Sequence, residues 1–581
     1  MAYHEPRDTD GDMIESTAPH GDALLHSVLG RLTYGISPAS VIGAYTDWLS
    51  HLATSPAKQA ELAEKAVRKF ARLGRYLQRG AWGNSADCIE PLPQDKRFSH
   101  PAWKTQPYAA WAQAFLLTQQ WWWNATTGVR GVSRHHEEMV TFGVRQWLDM
   151  WSPSNFLPTN PEVLTRTLET GGTNLAFGAM NWWRDFAGLL AHQPPAGTES
   201  FVPGVNIAVT PGRVVMRNRL VELIQYDPVT PKVGTEPVFI VPSWIMKYYI
   251  LDLSPENSLV RYLVGQGHTV FILSWKNPTA EDRELGMADY LAQGVLEPLK
   301  LVRARSGGAQ VHAVGYCLGG TLLAIAAAYL ARGKEEALKT LSLLAAELDF
   351  EEPGELGLFI DESQIAYLED VMWGQGYLDG TQMAGAFALI NSKDLVWSKL
   401  THEYLMGRQP AVSDMRAWNA DATRLPYRMH SEYLRKLYLN NDLAEGRYLV
   451  DGAPVALKDI RVPIFAVATE KDHVSPWKSV YKTQILTDAD LTFVLASGGH
   501  NVGIVSPPGA PVPASYRAAT RTHGEKYRDA EYWKQHAPAH EGSWWPYWQQ
   551  WLAAHGGASV PARRLDQADL ELAPGRYVQE R

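Results

Sequence analysis

The sequence predicts a mixed α/β protein: a mostly parallel β-sheet with helices on both faces, a cap inserted into it, and a helical domain ahead of it. Three observations carry this prediction. From residue 213 onward, short buried-strand patterns alternate with helical ones, the order that builds parallel sheets. One strand pattern runs directly into a glycine-bracketed cysteine and then into a helix. The alternation then breaks between about residues 350 and 432 before it resumes. At 581 residues the chain is too long for one ordinary core, and its 45% hydrophobic content is ample for burial. The division read from these patterns is an arm at 1–20, a helical N-terminal domain at 21–200, and a catalytic domain at 201–581 with the cap at about 350–432.

Residues 1–20 mix acids, Gly and Pro without an apolar stretch, so they read as a disordered arm rather than a signal peptide. Helical periodicity follows to about residue 190, clearest at 59–77, 109–123 and 137–151. Three consecutive positions on a helix point three ways, so Trp121, Trp122 and Trp123 read as packing rather than as a ligand platform. His135 and His136 beside Glu137 and Glu138 lack the i, i+4 spacing of a zinc site. They read as a solvated helix face, and no metal site is predicted.

After Pro194-Pro195 the period becomes that of strands, at 213–224, 237–241, 269–275 and 310–316, with helices at 257–266 and 290–305 between the last three. A strand at 340–348 precedes the segment 350–432, whose Gly, Asp, Tyr and Trp content suits a cap. Strands resume at 463–468 and 492–495. The apolar run 322–331 is half of what a membrane span requires, so it reads as the helix behind the cysteine and no transmembrane segment is predicted. A net charge of −8 without a long basic run argues against a nucleic-acid partner. Two cysteines, Cys88 and Cys317, are too few for a disulfide framework and fit a reducing, cytoplasmic setting. Cys88 lies in a polar, turn-like stretch and reads as structural.

The segment Val311-His312-Ala313-Val314-Gly315-Tyr316-Cys317-Leu318-Gly319-Gly320 has the form of a nucleophile elbow. Such a turn holds the nucleophile on a strained strand-to-helix bend, and its glycines avoid clashes with neighbouring backbone. The helix N-terminus that follows favours negative charge on the sulfur. A thiol nucleophile needs a base, and the base an orienting acid. Asp472 follows the strand at 463–468, and His500 follows the next strand in Ser497-Gly498-Gly499-His500. Cys317, Asp472, His500 is the chain order of the α/β-hydrolase fold. Asp349 also ends a strand and is a rival acid, while His473 either lines a substrate channel or is a satisfied turn histidine. The oxyanion donors are read as the backbone amides of Leu318 and, from the turn Pro242-Ser243-Trp244-Ile245-Met246, of Ile245.

These residues resemble those of the class I poly(3-hydroxyalkanoate) synthases, α/β-hydrolase-type enzymes that work without a second kind of subunit. The matches include Gly315-Tyr316-Cys317-Leu318-Gly319-Gly320, Lys247-Tyr248-Tyr249-Ile250-Leu251-Asp252-Leu253, Ser274-Trp275-Lys276-Asn277-Pro278, Asp394-Leu395-Val396-Trp397, Asp472-His473 with Pro476-Trp477, Gly498-Gly499-His500 and Gly542-Ser543-Trp544-Trp545-Pro546. The resemblance implies that Cys317, Asp472 and His500 serve as nucleophile, acid and base. It implies an (R)-3-hydroxyacyl-coenzyme A substrate polymerised to polyester, with coenzyme A as part of the substrate and a product, and no separate cofactor. It also implies contact with the growing polyester chain and the granule surface, and a homodimer. Met246, Asn391 and Ser506 depart from residues common in the family. A cysteine-dependent thioesterase or polyester depolymerase would share the elbow, acid and histidine, so these remain alternatives to synthesis.

Overall fold

The computed structural model describes residues 18–33, 35–80, 86–191, 193–380, 382–383, 385, 390, 392–409, 412–510, 513–566 and 569–581. Most of the arm expected at 1–20 therefore lies outside the described residues, as does Asn391, and helix already begins at residue 18.

One sheet of eleven strands organises the chain from residue 212 onward. In chain order these are β1 (Gly212–Arg217), β2 (Val221–Tyr226), β3 (Val238–Val241), β4 (Val270–Trp275), β5 (Val311–Tyr316), β6 (Leu338–Leu344), β7 (Ile464–Thr469), β8 (Leu491–Ala496), β9 (Ser515–Arg521), β10 (Ala539–Glu541) and β11 (Glu571–Leu572). Across the sheet they run β10-β9-β8-β7-β6-β5-β3-β4-β2-β1-β11. Strands β3 to β8 pair in parallel, and the flanking strands on both sides are antiparallel. Near-continuous runs of Val, Ile, Leu and Ala make the central strands, as burial on both faces requires. Alternation along each strand divides the core in two. Leu273, Ala313 and Leu343 belong to the cluster on one face, Ile272, Val314 and Leu344 to that on the other.

The single strand expected at 213–224 is two antiparallel strands. The chain reverses at Asn218, whose side-chain oxygen accepts from the amides of Leu220 and Val221, both at 2.9 Å. An Asn side chain thus stands in for a strand partner and turns the backbone. The helix expected at 290–305 starts at Met287 and contains a π-helical turn, Ala292–Leu296. There Gly294 meets the Trp275 ring so closely that a Cβ would lie 2.5 Å from it.

Among the described residues seven α-helices precede the sheet: α1 (Ala18–Leu32), α2 (Pro38–Ala53), α3 (Pro56–Gly80), α4 (Tyr108–Thr126), α5 (Arg134–Met150), α6 (Pro161–Glu169) and α7 (Thr173–Leu190). Their starts are set locally: Ser37, Ser133 and Asn160 each cap a free N-terminal amide. The three tryptophans of α4 do point apart. Trp121 donates to the Leu62 carbonyl at 3.0 Å, Trp122 packs on the α2–α5 cluster, and Trp123 is 59% exposed. His136 is not on a solvated face: its Nδ1 lies 2.6 Å from Asp47 Oδ2 and ties α5 to α2.

Residues 350–432 carry further helices, including α8 (Glu362–Gln375), π-helical turns at Leu400–Leu405, and α9 (Tyr427–Tyr433). The N-terminal helices grip this segment. Gln364 accepts from the Ser37 amide at 2.8 Å and donates to the Gly35 carbonyl at 2.6 Å. Arg145 pairs with Glu355 at 2.8 Å, and Asn174 donates to the Leu405 carbonyl at 2.7 Å. Helix α7 comes so close that a Cβ on Gly178 would overlap the Tyr404 carbonyl. Among the described residues no helix is long and apolar enough to cross a membrane.

Candidate active site

Strand β5 delivers Cys317 to the C-terminal edge of the parallel sheet, where ligands meet open α/β sheets. Cys317 sits at φ 53°, ψ −127°, and the helix α10 (Leu318–Arg332) starts at the next residue. A non-glycine residue there is strained and must be held by its surroundings. The Cys317 amide donates to the Leu344 carbonyl at 2.8 Å, and the Cys317 carbonyl accepts from Gly320 at 2.8 Å. The glycines leave no room for side chains. A Cβ on Gly315 would lie 2.3 Å from Gly320 Cα, and one on Gly319 would lie 2.2 Å from the Val241 carbonyl oxygen.

Asp472 lies in the turn after β7 and His500 in the loop after β8, so neighbouring parallel strands carry both to the same edge. His500 Nδ1 is 2.7 Å from Asp472 Oδ2. The aspartate side chain is fully buried and the imidazole 15% exposed. Asp472 also accepts from the amides of Val474 at 2.9 Å and Ser475 at 2.8 Å, and from the Thr469 hydroxyl at 3.1 Å. Burial alone would raise its carboxyl, but the His500 charge and these bonds outweigh it and hold it below the usual carboxylate range. Burial alone would depress His500. The charges of Asp472 and Cys317, with hydrogen bonds to both, instead lift it well above the ordinary imidazole value. The arrangement therefore favours an imidazolium between a carboxylate and the sulfur.

The structure brings Cys317, Asp472 and His500 together and gives the rival acid other partners. Asp349 accepts from the Glu351 amide at 2.9 Å and Asn441 at 3.2 Å and pairs with Lys482 at 3.4 Å, a set that ties the root of the cap to its surroundings. His473 is exposed. Leu318 is the first residue of α10, so its amide has no partner within the helix. The Ile245 amide makes a long 3.4 Å bond to the Ser243 hydroxyl. Gly319 pressed against Val241 and Pro242 sets that turn beside the elbow. Met246 forms a bridge to Ala422 of the cap segment, and the Ser506 amide donates to the Ile504 carbonyl at 3.1 Å.

Several neighbours were missed in the sequence. Tyr316 stacks obliquely near His500, ring centroids 5.8 Å apart, and donates to Asn501 at 2.7 Å. Tyr433, the last residue of α9, and Tyr438, five residues on, interact electrostatically with Cys317. Glu347, just past β6, is buried and interacts with Asp472, Cys317 and His500. The one signal for it was an acid inside an apolar strand end, Leu344-Ala345-Ala346-Glu347-Leu348.

Comparison with known proteins gives a consistent result. A family model described as the poly-beta-hydroxybutyrate polymerase (PhaC) N-terminus matches residues 94–263, and one described as the alpha/beta hydrolase fold matches residues 236–507. A poly(3-hydroxyalkanoate) polymerase of Methylorubrum extorquens is 39% identical over 551 residues, covering 93% of this chain and 90% of that protein. The corresponding polymerase subunit of Cupriavidus necator is 35% identical over 543 residues, covering 92% and 90%. Among solved structures, an alpha/beta fold family hydrolase from Bacillus anthracis is 15% identical, covering 50% of this chain and 94% of that one, with a TM-score of 0.30.

Proposed function

Because the chain belongs to the poly(3-hydroxyalkanoate) polymerase family, and is thus an acyltransferase-type enzyme on an α/β-hydrolase fold, we propose that it polymerises (R)-3-hydroxyacyl-coenzyme A through an acyl thioester on Cys317. The observation that carries this reading is the 2.7 Å contact between the buried Asp472 carboxylate and His500, whose imidazole has Cys317 as its other partner.

In the first step the Cys317 sulfur attacks the thioester carbonyl carbon, and the amides of Leu318 and Ile245 receive the developing oxyanion. The carbon–sulfur bond to coenzyme A breaks, and His500 returns a proton to the departing thiolate. One thioester replaces another, so the acyl group stays activated at little free-energy cost. A 3-hydroxyl, from the next monomer or the chain end, then attacks acyl-Cys317. His500 accepts its proton, Asp472 stabilises the imidazolium, the bond between the acyl carbon and Cys317 Sγ breaks to release the thiolate, and an oxygen ester forms downhill. Water at the same position would release a free acid. The segment 350–432 is assigned the role of a mobile cap that excludes it, with residues 21–200 as the helical domain that holds the cap and 201–581 as the catalytic domain. His473, exposed beside the acid, is kept as a candidate lining the substrate channel. The reading includes a cytoplasmic, granule-associated homodimer in contact with its own polyester product.

Supplying 3-hydroxybutyryl-coenzyme A tests the proposal. Coenzyme A together with insoluble polyester is the expected result. Coenzyme A with free 3-hydroxy acid would mark a thioesterase or depolymerase instead, and no coenzyme A release above that of Cys317→Ala would mark a noncatalytic protein.

A further inference from the structure

We propose that Glu347 is a substrate-binding residue: its carboxyl donates a hydrogen bond to the 3-hydroxyl oxygen of the acyl group on Cys317, and so selects 3-hydroxyacyl over plain acyl thioesters. The inference rests on the acyl-Cys317 reading above and extends it to the shape of the acyl subsite.

The backbone places this side chain. Strand β6 ends at Leu344, and Ala345 follows at φ 48° with its amide on the Val467 carbonyl at 2.7 Å. That left-handed residue breaks the alternation of the strand. Ala346 packs against Gly320 of the elbow, where a Cβ would approach to 2.5 Å, and the Thr321 hydroxyl holds the Glu347 carbonyl at 2.7 Å. Glu347 is thus pinned to the first turn of the helix that follows Cys317. The groups that interact with it electrostatically are Asp472, Cys317, His500 and Asp349, with Tyr433 and Tyr438 from the end of α9 and the turn after it.

Glu347 is 3% exposed, and its Oε1 has no hydrogen-bond partner. A buried polar atom without a partner costs stability, and an apolar side chain would avoid that cost. A buried orphan at the edge of the candidate site points to a ligand as the missing partner. Burial first, then the charges of Asp472 and Cys317, push the carboxyl well above its usual range and so favour its protonated form. A protonated carboxyl offers one donor and one acceptor, the same complement as a hydroxyl. In the acyl group the thioester oxygen is already assigned to the Leu318 and Ile245 amides. The 3-hydroxyl is the remaining polar atom, and a plain acyl chain would leave Glu347 unmet.

The test compares the coenzyme A burst that accompanies acylation of Cys317 by 3-hydroxybutyryl-coenzyme A and by butyryl-coenzyme A, as a ratio of second-order acylation rate constants, in wild type, Glu347→Gln and Glu347→Leu. Butyryl-coenzyme A loads Cys317 but supplies no hydroxyl. Glu347→Leu is expected to lower the ratio about 10- to 100-fold, the range of a buried hydroxyl losing its partner. Glu347→Gln, which still donates, should keep the ratio within about threefold at neutral pH. The wild-type ratio should fall in alkaline solution as Glu347 ionises, whereas that of Glu347→Gln should not. Limbs due to His500 or Cys317 act on both substrates and cancel in the ratio. A ratio unchanged in Glu347→Leu overturns the proposal. If that variant does not fold, Glu347→Gln decides: a lost ratio at neutral pH, or a persisting alkaline fall, overturns it. Polyester formation by the wild type is scored separately, so failure of the polymerase reading is distinguishable from failure of this one.

Discussion

Replacing Asp472 with Asn, in parallel with Asp349→Asn, separates the acid that serves the imidazole from the one that serves the fold. Asp472 faces His500 at 2.7 Å with no solvent access. A charge-assisted bond of this kind contributes about 1.5–3 kcal/mol. Asparagine removes the charge and also presents a donor or a weaker acceptor to Nδ1, so the imidazole loses its tautomer as well as its counter-charge. Together these effects are expected to cost roughly 3–5 kcal/mol of transition-state stabilisation, or about 10²- to 10⁴-fold in kcat. Asp349 bonds to Glu351, Asn441 and Lys482, so Asp349→Asn should lower stability by about 1–2 kcal/mol and leave kcat within about threefold. Coenzyme A release at saturating 3-hydroxybutyryl-coenzyme A measures the first effect, and denaturant unfolding the second. Asp472→Asn with more than a third of wild-type kcat, or a larger loss in Asp349→Asn, would refute the assignment.

The same pair sets a pH dependence. Asp472 is lowered on folding, so its stabilisation is present above the ordinary carboxyl value and is lost as pH falls through its folded value; His500 is raised, so its stabilisation is present below the ordinary imidazole value and is lost as pH rises through its folded value. The stability difference between wild type and Asp472→Asn should be largest at roughly pH 5–6.5 and shrink on both sides, measured by unfolding midpoints. Cys317→Ala should abolish coenzyme A release, while Cys88→Ser should leave it unchanged, because Cys88 sits far along the chain among N-terminal helices with its amide on Gln113 at 2.8 Å. Gly319→Ala would force a methyl to 2.2 Å from the Val241 carbonyl oxygen; a stability loss of about 1–3 kcal/mol with a larger loss of activity is expected, and a fully active variant would contradict the close approach. Hydrogen exchange should find residues 350–432 less protected than the sheet and slowed by a non-reactive coenzyme A thioether. Equal protection with and without ligand would count against a gating cap.

The features readable from the residues alone share a physical trait: each is enforced by close neighbours along the chain. Gly315, Cys317 and Gly319 announce the elbow because only those residue types fit a strand turning abruptly into a helix. Asp472 and His500 are found at strand ends because parallel strands deliver their C-terminal loops to one edge. Folding in three dimensions decided the rest, where the partner is distant in sequence. The reversal at Asn218 rests on one side-chain oxygen, a signal too short for periodicity to register. Strand β11 joins the sheet only by pairing with β1, more than three hundred residues earlier. The grip of α7 on Tyr404 and of Gln364 on Ser37 depends on surfaces that meet after both elements exist. Glu347 is the sharpest case. Its composition and position mark an ordinary acid near a strand end, and only the left-handed Ala345 and the elbow packed against it set a buried carboxyl within electrostatic reach of Cys317.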